Sequence, residues 1–299
     1  MKSSRLRSTV AAFAATIAPV VAACGGGQAD LPGQREATAL RLYVLDCGTL
    51  KADPGRFRLK SEEVATTDLS VPCFLIVHPR GRLIWDAGAV PDADWTPTGG
   101  PVTHHLALPD GSERDLTLRK GLAAQLAEVG YAPKDIDYLA VSHYHYDHTA
   151  NANAFAGATW LVRQVERDAM FAEKPPPVAQ PRYYEELKTS KTVIIRDDEH
   201  DVFGDGTLII KSAPGHTPGH QVLYVKLPHT GGVVLSGDLY HFPEARTLKR
   251  VTVFDFDQSQ TPVSREAIEL FLTKTGAQLW IQHDDIGNRR LKKAPDYYE

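Results

Sequence analysis

The sequence has little cysteine, no long basic stretch and no serine-nucleophile motif. Three cysteines among 299 residues exclude a small domain held together by many disulfides. Without a run of lysine and arginine, nothing indicates a nucleic-acid partner. The Gly-x-Ser-x-Gly turn of many serine hydrolases is also absent. The remaining composition, 42% hydrophobic and 23% charged, is that of an ordinary globular protein with a buried core.

No apolar run in the sequence is long enough to span a membrane comfortably. The longest, about residues 10–23, follows the basic residues Lys2, Arg5 and Arg7. A short apolar segment behind a positive start is typical of a secretory signal peptide. We therefore predict a signal peptide over residues 1–23.

Cys24 ends the sequence Val21-Ala22-Ala23-Cys24, which resembles a bacterial lipobox, in which the cysteine receives the lipid. The alternative is ordinary cleavage with Cys24 as an incidental thiol. Residues 24–38 are Gly-rich and polar, which indicates a flexible tether. We expect an exported lipoprotein, periplasmic at a membrane or secreted, that meets lipid only through its anchor. In an oxidising compartment Cys47 and Cys73 form one disulfide or remain two buried thiols.

Strands and helices are interleaved along residues 39–299, which are predicted to form one domain. Strands are predicted at residues 40–45, 72–77, 82–86, 137–142, 159–162, 192–196, 207–213, 221–227, 232–236 and 278–282. Helices are predicted at residues 118–129 with Thr117 as cap, 151–155, 164–171, and 262–274 with Thr261 as cap. Irregular loops with aromatic residues are predicted at 51–68, 91–116 and 170–184 as walls of an apolar pocket. This pattern favours an α/β or α+β fold with mixed sheets.

The strongest signal is an H-x-H-x-D-H run formed by His143, His145, Asp147 and His148. Chance would produce it roughly 0.0015 times in a chain of this composition. Imidazole nitrogen suits zinc and similar metals. In an extended segment residues i and i+2 point the same way, so His143 and His145 can share one ion. After a turn, Asp147 and His148 can face a second ion.

Three further candidate ligands follow predicted strands downstream. His216 lies in Pro-Gly-His-Thr-Pro-Gly-His, Asp238 in Ser-Gly-Asp, and His283 directly after the last strand. Taken alone, His216 would be an ordinary loop histidine, Asp238 a turn residue and His283 a surface group. Their common position at strand ends favours convergence on the metal site.

Together these motifs resemble those of the metallo-β-lactamase superfamily, over nearly all of the sequence from residue 40 onward. Within it the chain is most similar to the N-acyl-homoserine lactonase group, through Leu-Asp-Cys-Gly-Thr-Leu at 45–50 and Trp-Asp-Ala-Gly at 85–88. The resemblance implies an α/β fold of the four-layer αββα type, with two divalent metal ions, expected to be Zn²⁺, at one edge. It assigns His143, His145 and His216 to one ion, Asp147, His148 and His283 to the other, Asp238 as a bridge, and Asp86 as the carboxylate that orients a ligand.

The sequence departs from that group beside the bridging aspartate. Lactonases of this group often carry a tyrosine three residues after it, in contact with substrate, whereas this chain has His241 there and Tyr240 one residue earlier. Either residue is a candidate hydrogen-bond donor to the oxyanion, with surface packing as the alternative. The candidate catalytic residues are thus Asp147, Asp238, Tyr240 and His241, with Asp238 moving the proton. His220 is expected to support the ligands.

The expected activity is opening of a lactone or related ester, an N-acyl-homoserine lactone above all, by hydroxide held between the two metals. A thioester hydrolase resembling glyoxalase II has the same ligands and remains an alternative. Asp238 argues against a β-lactamase, because those enzymes generally lack the bridging aspartate, and no extra basic cluster supports a phosphodiesterase. A lipid-anchored metal-binding protein without activity is disfavoured, because no His-rich tract lies outside the site. The oligomeric state stays open.

Overall fold

The computed structural model describes residues 39–109 and 111–299. The predicted signal peptide and tether lie outside the described residues. Within them no helix combines the length and apolar character needed to cross a membrane.

The strands are β1 (Arg41–Lys51), β2 (Asp68–His78), β3 (Gly81–Trp85), β4 (Val102–Ala107), β5 (Glu113–Leu118), β6 (Tyr138–Ala140), β7 (Thr159–Arg163), β8 (Thr192–Ile195), β9 (Glu199–Asp201), β10 (Leu208–Ser212), β11 (Gln221–Leu227), β12 (Gly231–Leu235) and β13 (Gln278–Trp280). The helices are α1 (Leu122–Glu128), α2 (Tyr146–Thr149), α3 (Gln164–Met170), α4 (Pro243–Thr247), α5 (Gln260–Thr275) and α6 (Asp285–Arg289).

The strands of the described chain form two mixed sheets. The first has the order β4-β5-β1-β2-β3-β6-β7-β8, and the second the order β13-β12-β11-β10-β9. In the first sheet β3, β6, β7 and β8 are parallel neighbours, and in the second β12 and β13 are parallel. Parallel strands end at the same edge of a sheet, which gathers the loops that follow them.

Alternate residues of β1 belong to two different cores, because successive side chains of a strand point to opposite faces. Leu42 and Val44 pack between the two sheets, together with apolar residues of β10, β11 and β12. Tyr43 and Leu45 face outward, into a cluster that includes Leu126 of α1. The first sheet is therefore covered by helices on one face and by the second sheet on the other.

The outer face of the second sheet is covered by α5. Ile268 and Leu272 of this helix pack with Val222, Tyr224 and Val234 of the sheet. The layers are thus helix, sheet, sheet and helix, which confirms the αββα sandwich expected from the resemblance. All three apolar clusters lie within residues 39–299.

The prediction that Thr117 caps a helix is wrong. Thr117 lies in β5, opposite Thr49 of β1, and the helix begins only at Leu122. The cap comes from Asp92, whose carboxylate accepts hydrogen bonds from the backbone N–H groups of Leu122 and Ala123, each at 2.7 Å. A carboxylate about thirty positions away in sequence thus replaces the local N-cap residue that usually accepts these hydrogen bonds.

Two further sequence predictions need correction. Residues 91–116, expected to be irregular, contain the β4 strand and most of β5, which pair as a hairpin. Thr261 does not cap α5 but lies inside it, with its hydroxyl donating to Asp255 Oδ2 at 2.7 Å. The carboxylate of Asp257 instead accepts from the N–H of Gln260, at 3.0 Å.

Cys47 and Cys73 form a disulfide, which decides between the two alternatives that the sequence left open. Their Cα atoms lie 5.8 Å apart because β1 and β2 are antiparallel neighbours. Cys47 lies in a bulge of β1, and both cysteines are buried. The bond therefore links two strands next to the turn that carries Asp86.

We predict that the Cys47→Ala/Cys73→Ala variant loses about 3 kcal/mol of unfolding free energy. The bond closes a loop with a sequence separation of 26, and its removal returns that conformational freedom to the unfolded chain. Denaturant titration with and without a reducing agent measures this. The reducing agent should destabilise the unsubstituted protein alone; an equal effect on both proteins would contradict the prediction.

Candidate metal centre

The seven predicted ligands all lie beyond the carboxyl ends of strands. Residues 143–148 follow β6, His216 follows β10, Asp238 follows β12, and His283 follows β13. Both sheets end at this edge, so the four segments meet there although they lie far apart in sequence. Open α/β sheets commonly place their sites at such edges.

One group of ligand atoms surrounds Asp238 Oδ2. His143 Nε2 lies 3.5 Å and His216 Nε2 lies 3.3 Å from this oxygen. His145 Nδ1 lies 3.1 Å from His216 Nε2. All four side chains are buried, and their ligand atoms lie within 4.8 Å of one another. Three imidazoles and one carboxylate form a donor set that zinc accepts in tetrahedral geometry.

A second group surrounds the other oxygen of the same carboxylate. Asp238 Oδ1 lies 3.2 Å from His148 Nε2 and 3.1 Å from His283 Nε2. Asp147 Oδ2 lies 3.7 Å from His283 Nε2. The structure thus brings together all seven residues, and Asp238 lies between the two groups with one oxygen toward each.

The hydrogen bonding of the ligand atoms shows whether metal ions would fit this site. His143 Nε2, His148 Nε2 and Asp238 Oδ1 are buried and make no hydrogen bond of acceptable geometry, although the last two lie 3.2 Å apart. A buried polar atom without a partner costs about 1–3 kcal/mol. All three point into the same space between the strand ends, so a pair of divalent cations would satisfy them together.

Burial and mutual contacts set the charge of these groups. Burial, followed by the neighbouring imidazoles, holds the pKa of His143 well below its usual range, and likewise for His145. Burial alone would raise the pKa of Asp238, but the surrounding histidines, His283 first, outweigh it and hold the pKa well below the usual value.

The other three ligand histidines behave differently: burial lowers their pKa, but the carboxylates, Asp238 above all, outweigh it and raise the pKa of His148 and His283, and that of His216 to about 9. Metal ligation needs neutral imidazoles, so binding of cations would displace these protons.

Four ligand histidines are oriented through their second ring nitrogen, which lies at hydrogen-bond distance from an oxygen atom. Such contacts fix the ring and increase its basicity toward a metal. The pairs are His143 Nδ1 with Ser142 Oγ at 3.0 Å, His148 Nδ1 with Asp86 Oδ2 at 2.9 Å, His216 Nδ1 with Asp255 Oδ1 at 2.8 Å, and His283 Nδ1 with the Ser70 carbonyl at 2.8 Å. The resemblance predicted the contact of Asp86, and the structure confirms it.

Asp86 reaches His148 from a left-handed backbone conformation, with φ of 60° directly after β3. Its second oxygen accepts a hydrogen bond of 2.6 Å from the backbone N–H of Ser142. Non-glycine residues adopt this conformation at a cost and mostly at functional sites. The turn therefore aims one carboxylate at both the ligand and the segment that carries it.

Glu166 links the two loops that supply the first ligand group. Its Oε1 accepts from the backbone N–H of Tyr144, between His143 and His145, at 2.8 Å. Its Oε2 accepts from the N–H of Gly219 at 2.8 Å, beyond His216 in sequence. Burial raises the pKa of this carboxyl to about 7, against the hydrogen bonds that favour its ionised form.

Gly237 is required by the close approach of two segments. A Cβ atom at this position would lie 2.6 Å from the Cβ of Ser142 and 2.8 Å from His220 Nε2. His220 Nε2 accepts the N–H of Asp238 at 3.0 Å, while its Nδ1 donates to the Ala213 carbonyl at 3.0 Å. His220 therefore supports the bridging residue and has no ring nitrogen left for a metal, as the sequence predicted.

Sequence reasoning did not identify Glu166, Asp255 or Ser70. Glu166 and Asp255 have no spacing signal, since each reaches its partner across a tertiary contact. Ser70 acts through its backbone carbonyl, which every residue possesses. From the sequence one can expect that each ligand histidine has a hydrogen-bond acceptor, but not which residue supplies it.

The side chains of Tyr240 and His241 contact different parts of the protein. The Tyr240 hydroxyl donates to Glu269 Oε1 of α5 at 3.1 Å, so the expectation that it contacts substrate is corrected. His241 Nε2 lies 3.0 Å from Asp238 Oδ2, and its ring stacks on that of His283 at 5.3 Å. Of the two candidates, only His241 faces the metal ligands.

A cavity of about 430 Å³ opens onto the ligands. Asp147, Asp238, His241 and His283 are among the residues that line it. Its apolar side chains are Leu50, Phe57, Leu69, Val178 and Phe254, and charged residues of both signs, including Arg56, Arg114, Asp53 and Glu113, complete its lining. The cavity suits a small molecule with a polar head and an apolar tail.

The loops predicted as pocket walls contribute only in part. Phe57 from residues 51–68 and Val178 from residues 170–184 line the cavity. The other aromatic residues of these loops pack into the cluster on the outer face of the first sheet, namely Trp95, Phe171, Tyr183 and Tyr184. The aromatic residues correctly indicated loops that contribute to the cavity, but not which aromatic rings point into it.

Comparison with known proteins places this site in a family context. The model of the metallo-β-lactamase superfamily matches residues 66–277. The N-acyl homoserine lactonase AttM of Azorhizobium caulinodans is 31% identical over 268 residues, covering 88% of this chain and 100% of the relative. An N-acyl homoserine lactonase of a Bacillus species is 27% identical over 265 residues, covering 87% of this chain and 99% of the relative.

Solved structures share the fold. An N-acyl homoserine lactone hydrolase with the product N-hexanoyl-L-homoserine at its catalytic metal centre superposes with a TM-score of 0.69 at 21% identity, covering 87% of this chain and 99% of that one. AidC, a dizinc quorum-quenching lactonase, superposes with a TM-score of 0.59 at 18% identity, covering 90% and 95%.

We predict that Glu166→Gln weakens metal binding about 10- to 100-fold while the chain still folds. The amide keeps the shape of the carboxylate but turns an N–H group toward the backbone N–H of Tyr144 or Gly219. Competition with a coloured chelator measures the affinity. Glu185→Gln, an exposed carboxylate, is the matched control; equal affinity of the Glu166 variant and this control would contradict the positioning role.

Proposed function

The chain belongs to the metallo-β-lactamase superfamily, and on that basis we propose that it is a metal-dependent hydrolase that opens the ring of N-acyl-homoserine lactones. The observation that carries the proposal is the carboxylate of Asp238, with one oxygen toward each of two three-residue ligand groups. The names of its curated relatives supply the substrate class. The cavity supports it, because a polar floor and apolar walls match a lactone head and an acyl tail.

Two divalent ions, when bound, lower the pKa of water toward about 7 and polarise a carbonyl oxygen. His143, His145 and His216 would hold one ion, Asp147, His148 and His283 the other, and Asp238 both. We infer zinc from the imidazole and carboxylate donors.

The residues of the chain itself bind the substrate and move the proton. Leu50, Phe57 and Val178 hold the acyl tail, so that the ring lies over the ligands. Water adds to the lactone carbonyl carbon, and the bond from that carbon to the ring oxygen breaks. Asp238 lines the cavity and takes the proton of the attacking water. The departing ring oxygen receives this proton and becomes the hydroxyl of the product.

We propose that His241 donates a hydrogen bond to the substrate carbonyl rather than binding metal. Its Nδ1 is buried without a partner, beside the rings of Phe57 at 4.8 Å and Phe254 at 5.6 Å. A nitrogen in such apolar surroundings favours the neutral ring with its hydrogen on Nε2. This hydrogen lies toward Asp238 Oδ2, 3.0 Å from Nε2, and would pass to the substrate carbonyl when that carboxylate holds the metal ions. The four oriented ligand histidines differ, because each of their second nitrogens has an oxygen partner.

We also propose export and attachment through a lipid on Cys24. The signal-peptide pattern of residues 1–23 and the lipobox resemblance support this. The Cys47–Cys73 disulfide adds support, because such bonds persist mainly in oxidising compartments. Labelling of the exported chain with a radioactive fatty acid, compared with the Cys24→Ser variant, tests the proposal.

The proposed reaction predicts a substrate order. The zinc-loaded protein should hydrolyse N-acyl-homoserine lactones faster than a thioester, a lactam or a phosphodiester of matched size. Chelation should abolish the activity, zinc should restore it, and His148→Ala should lower kcat/KM about 1000-fold through loss of one ion. Faster turnover of the thioester would identify a thioesterase instead, and undiminished activity of the His148 variant would refute metal catalysis.

A second prediction concerns His241. His241→Phe keeps an aromatic ring beside Phe57 but removes the N–H donor, so kcat should fall about 100-fold with little change in KM. His241→Tyr should recover part of the loss, because a hydroxyl can donate the same bond. Both variants should retain two metal ions per chain by elemental analysis; loss of one ion in the Phe variant would show that His241 is a ligand.

A further inference from the structure

Exposed large hydrophobic side chains are concentrated in one short segment of the described chain. Of the seven such residues, four lie between α4 and the first turns of α5. They are Leu248 at 42%, Val253 at 48%, Phe256 at 68% and Val263 at 57% exposure. Exposed apolar clusters of this kind on a globular protein usually mark a contact surface.

Residues 248–258, which carry three of the four, are held firmly to the domain. Thr252 and Asp255 are buried, and the Thr252 hydroxyl donates to Asp255 at 2.6 Å. The backbone N–H of Val253 donates to the Arg56 carbonyl at 3.0 Å, and that of Phe256 to the His216 carbonyl at 3.1 Å. The fold therefore fixes Val253 and Phe256 outward, rather than leaving them to collapse onto the protein.

Exposed basic residues lie in the same segment as these apolar side chains or contact it. Lys249 and Arg250 are exposed within the segment, and Arg58 reaches it by a hydrogen bond from its guanidinium to Gln258 Oε1. Residues 248–258 also contain two acidic residues, of which Asp255 is buried against His216 and Asp257 is exposed. The exposed charges are therefore the basic residues Arg58, Lys249 and Arg250 against the single acidic residue Asp257, a local positive excess on a chain of formal charge −4.

We propose that residues 248–258, together with Arg58 and Val263, form a docking loop that inserts its apolar side chains into the surface of an anionic lipid bilayer. Exposed apolar residues accompanied by lysine and arginine suit this surface, because the former enter the acyl boundary and the latter pair with anionic headgroups. A few side chains suffice for such insertion. A stable dimer, by contrast, needs about 800 Å² from each partner, contributed by 20–30 residues, which favours lipid over a second copy.

The docking loop lies directly beside the mouth of the catalytic cavity. Phe254 of the loop lines the cavity, as does Arg56, whose guanidinium lies 4.9 Å from the centre of the Phe254 ring. A docked domain would thus open its cavity toward the lipid surface, where an acylated substrate accumulates. Only this consequence rests on the proposed function; the docking itself does not.

The test measures binding of residues 31–299 to vesicles, because this form lacks the predicted signal peptide and lipid anchor. Sedimentation compares vesicles of phosphatidylcholine alone with vesicles that also contain phosphatidylglycerol. We expect binding only to the anionic vesicles, with a decrease at high salt. Lys249→Gln/Arg250→Gln should weaken it about 10- to 30-fold, and Val253→Ser/Phe256→Ser at least about tenfold.

Val165→Ser/Leu270→Ser is the matched control, since both residues are exposed and apolar but lie outside the docking loop. It should bind like the unsubstituted protein. Far-ultraviolet circular dichroism and metal content verify that every variant folds. The proposal is overturned if the unsubstituted domain ignores anionic vesicles, or if the control and the Val253/Phe256 variant lose binding equally. A change of oligomeric state in the Val253/Phe256 variant, with vesicle binding intact, would assign the surface to a second copy.

Discussion

The site depends on the single carboxylate of Asp238, whose two oxygens face two separate groups of buried ligands. Without cations, His143 Nε2, His148 Nε2 and Asp238 Oδ1 make no hydrogen bond of acceptable geometry in the interior. Protein interiors tolerate few such atoms, because each forfeits its bonds to water. Much of the local architecture can be understood as the means of holding these groups close together until metal ions satisfy them.

Two sheets are needed to do this, since no single segment could supply both the ligands and their supports. The ligand run 143–148 follows a strand of the first sheet, whereas Asp238 and His283 follow strands of the second. Gly237 lets the two sheets approach at Ser142, and Glu166 ties the first ligand run to the loop of His216. The chain connections and the packing of the two sheets therefore also determine the distance between the two metal positions.

The sequence predicted the convergence of the seven candidate ligands because they occur in compact motifs at strand ends, and the resemblance supplied their grouping. It failed where a contact joins distant segments. Asp92 caps α1 from another loop, so Thr117 was mistaken for the cap. Tyr240 and His241 are neighbours in sequence, and only packing decides that the tyrosine meets Glu269 while the histidine faces the cavity. Such choices depend on tertiary contacts, which local pattern does not encode.

The segment that orients His216 is also the one that forms the proposed docking loop. Asp255 points inward to His216 Nδ1, and the next residue, Phe256, points outward while its N–H bonds the His216 carbonyl. The same few hydrogen bonds thus fix a metal ligand and an exposed aromatic ring. A rigid loop suits both purposes, because a ligand must keep its geometry and an inserting side chain must not fold back onto the protein. Binding of the docking loop to a membrane would therefore act on the segment that orients His216, because only Phe256 and Asp255 separate the membrane from that ligand.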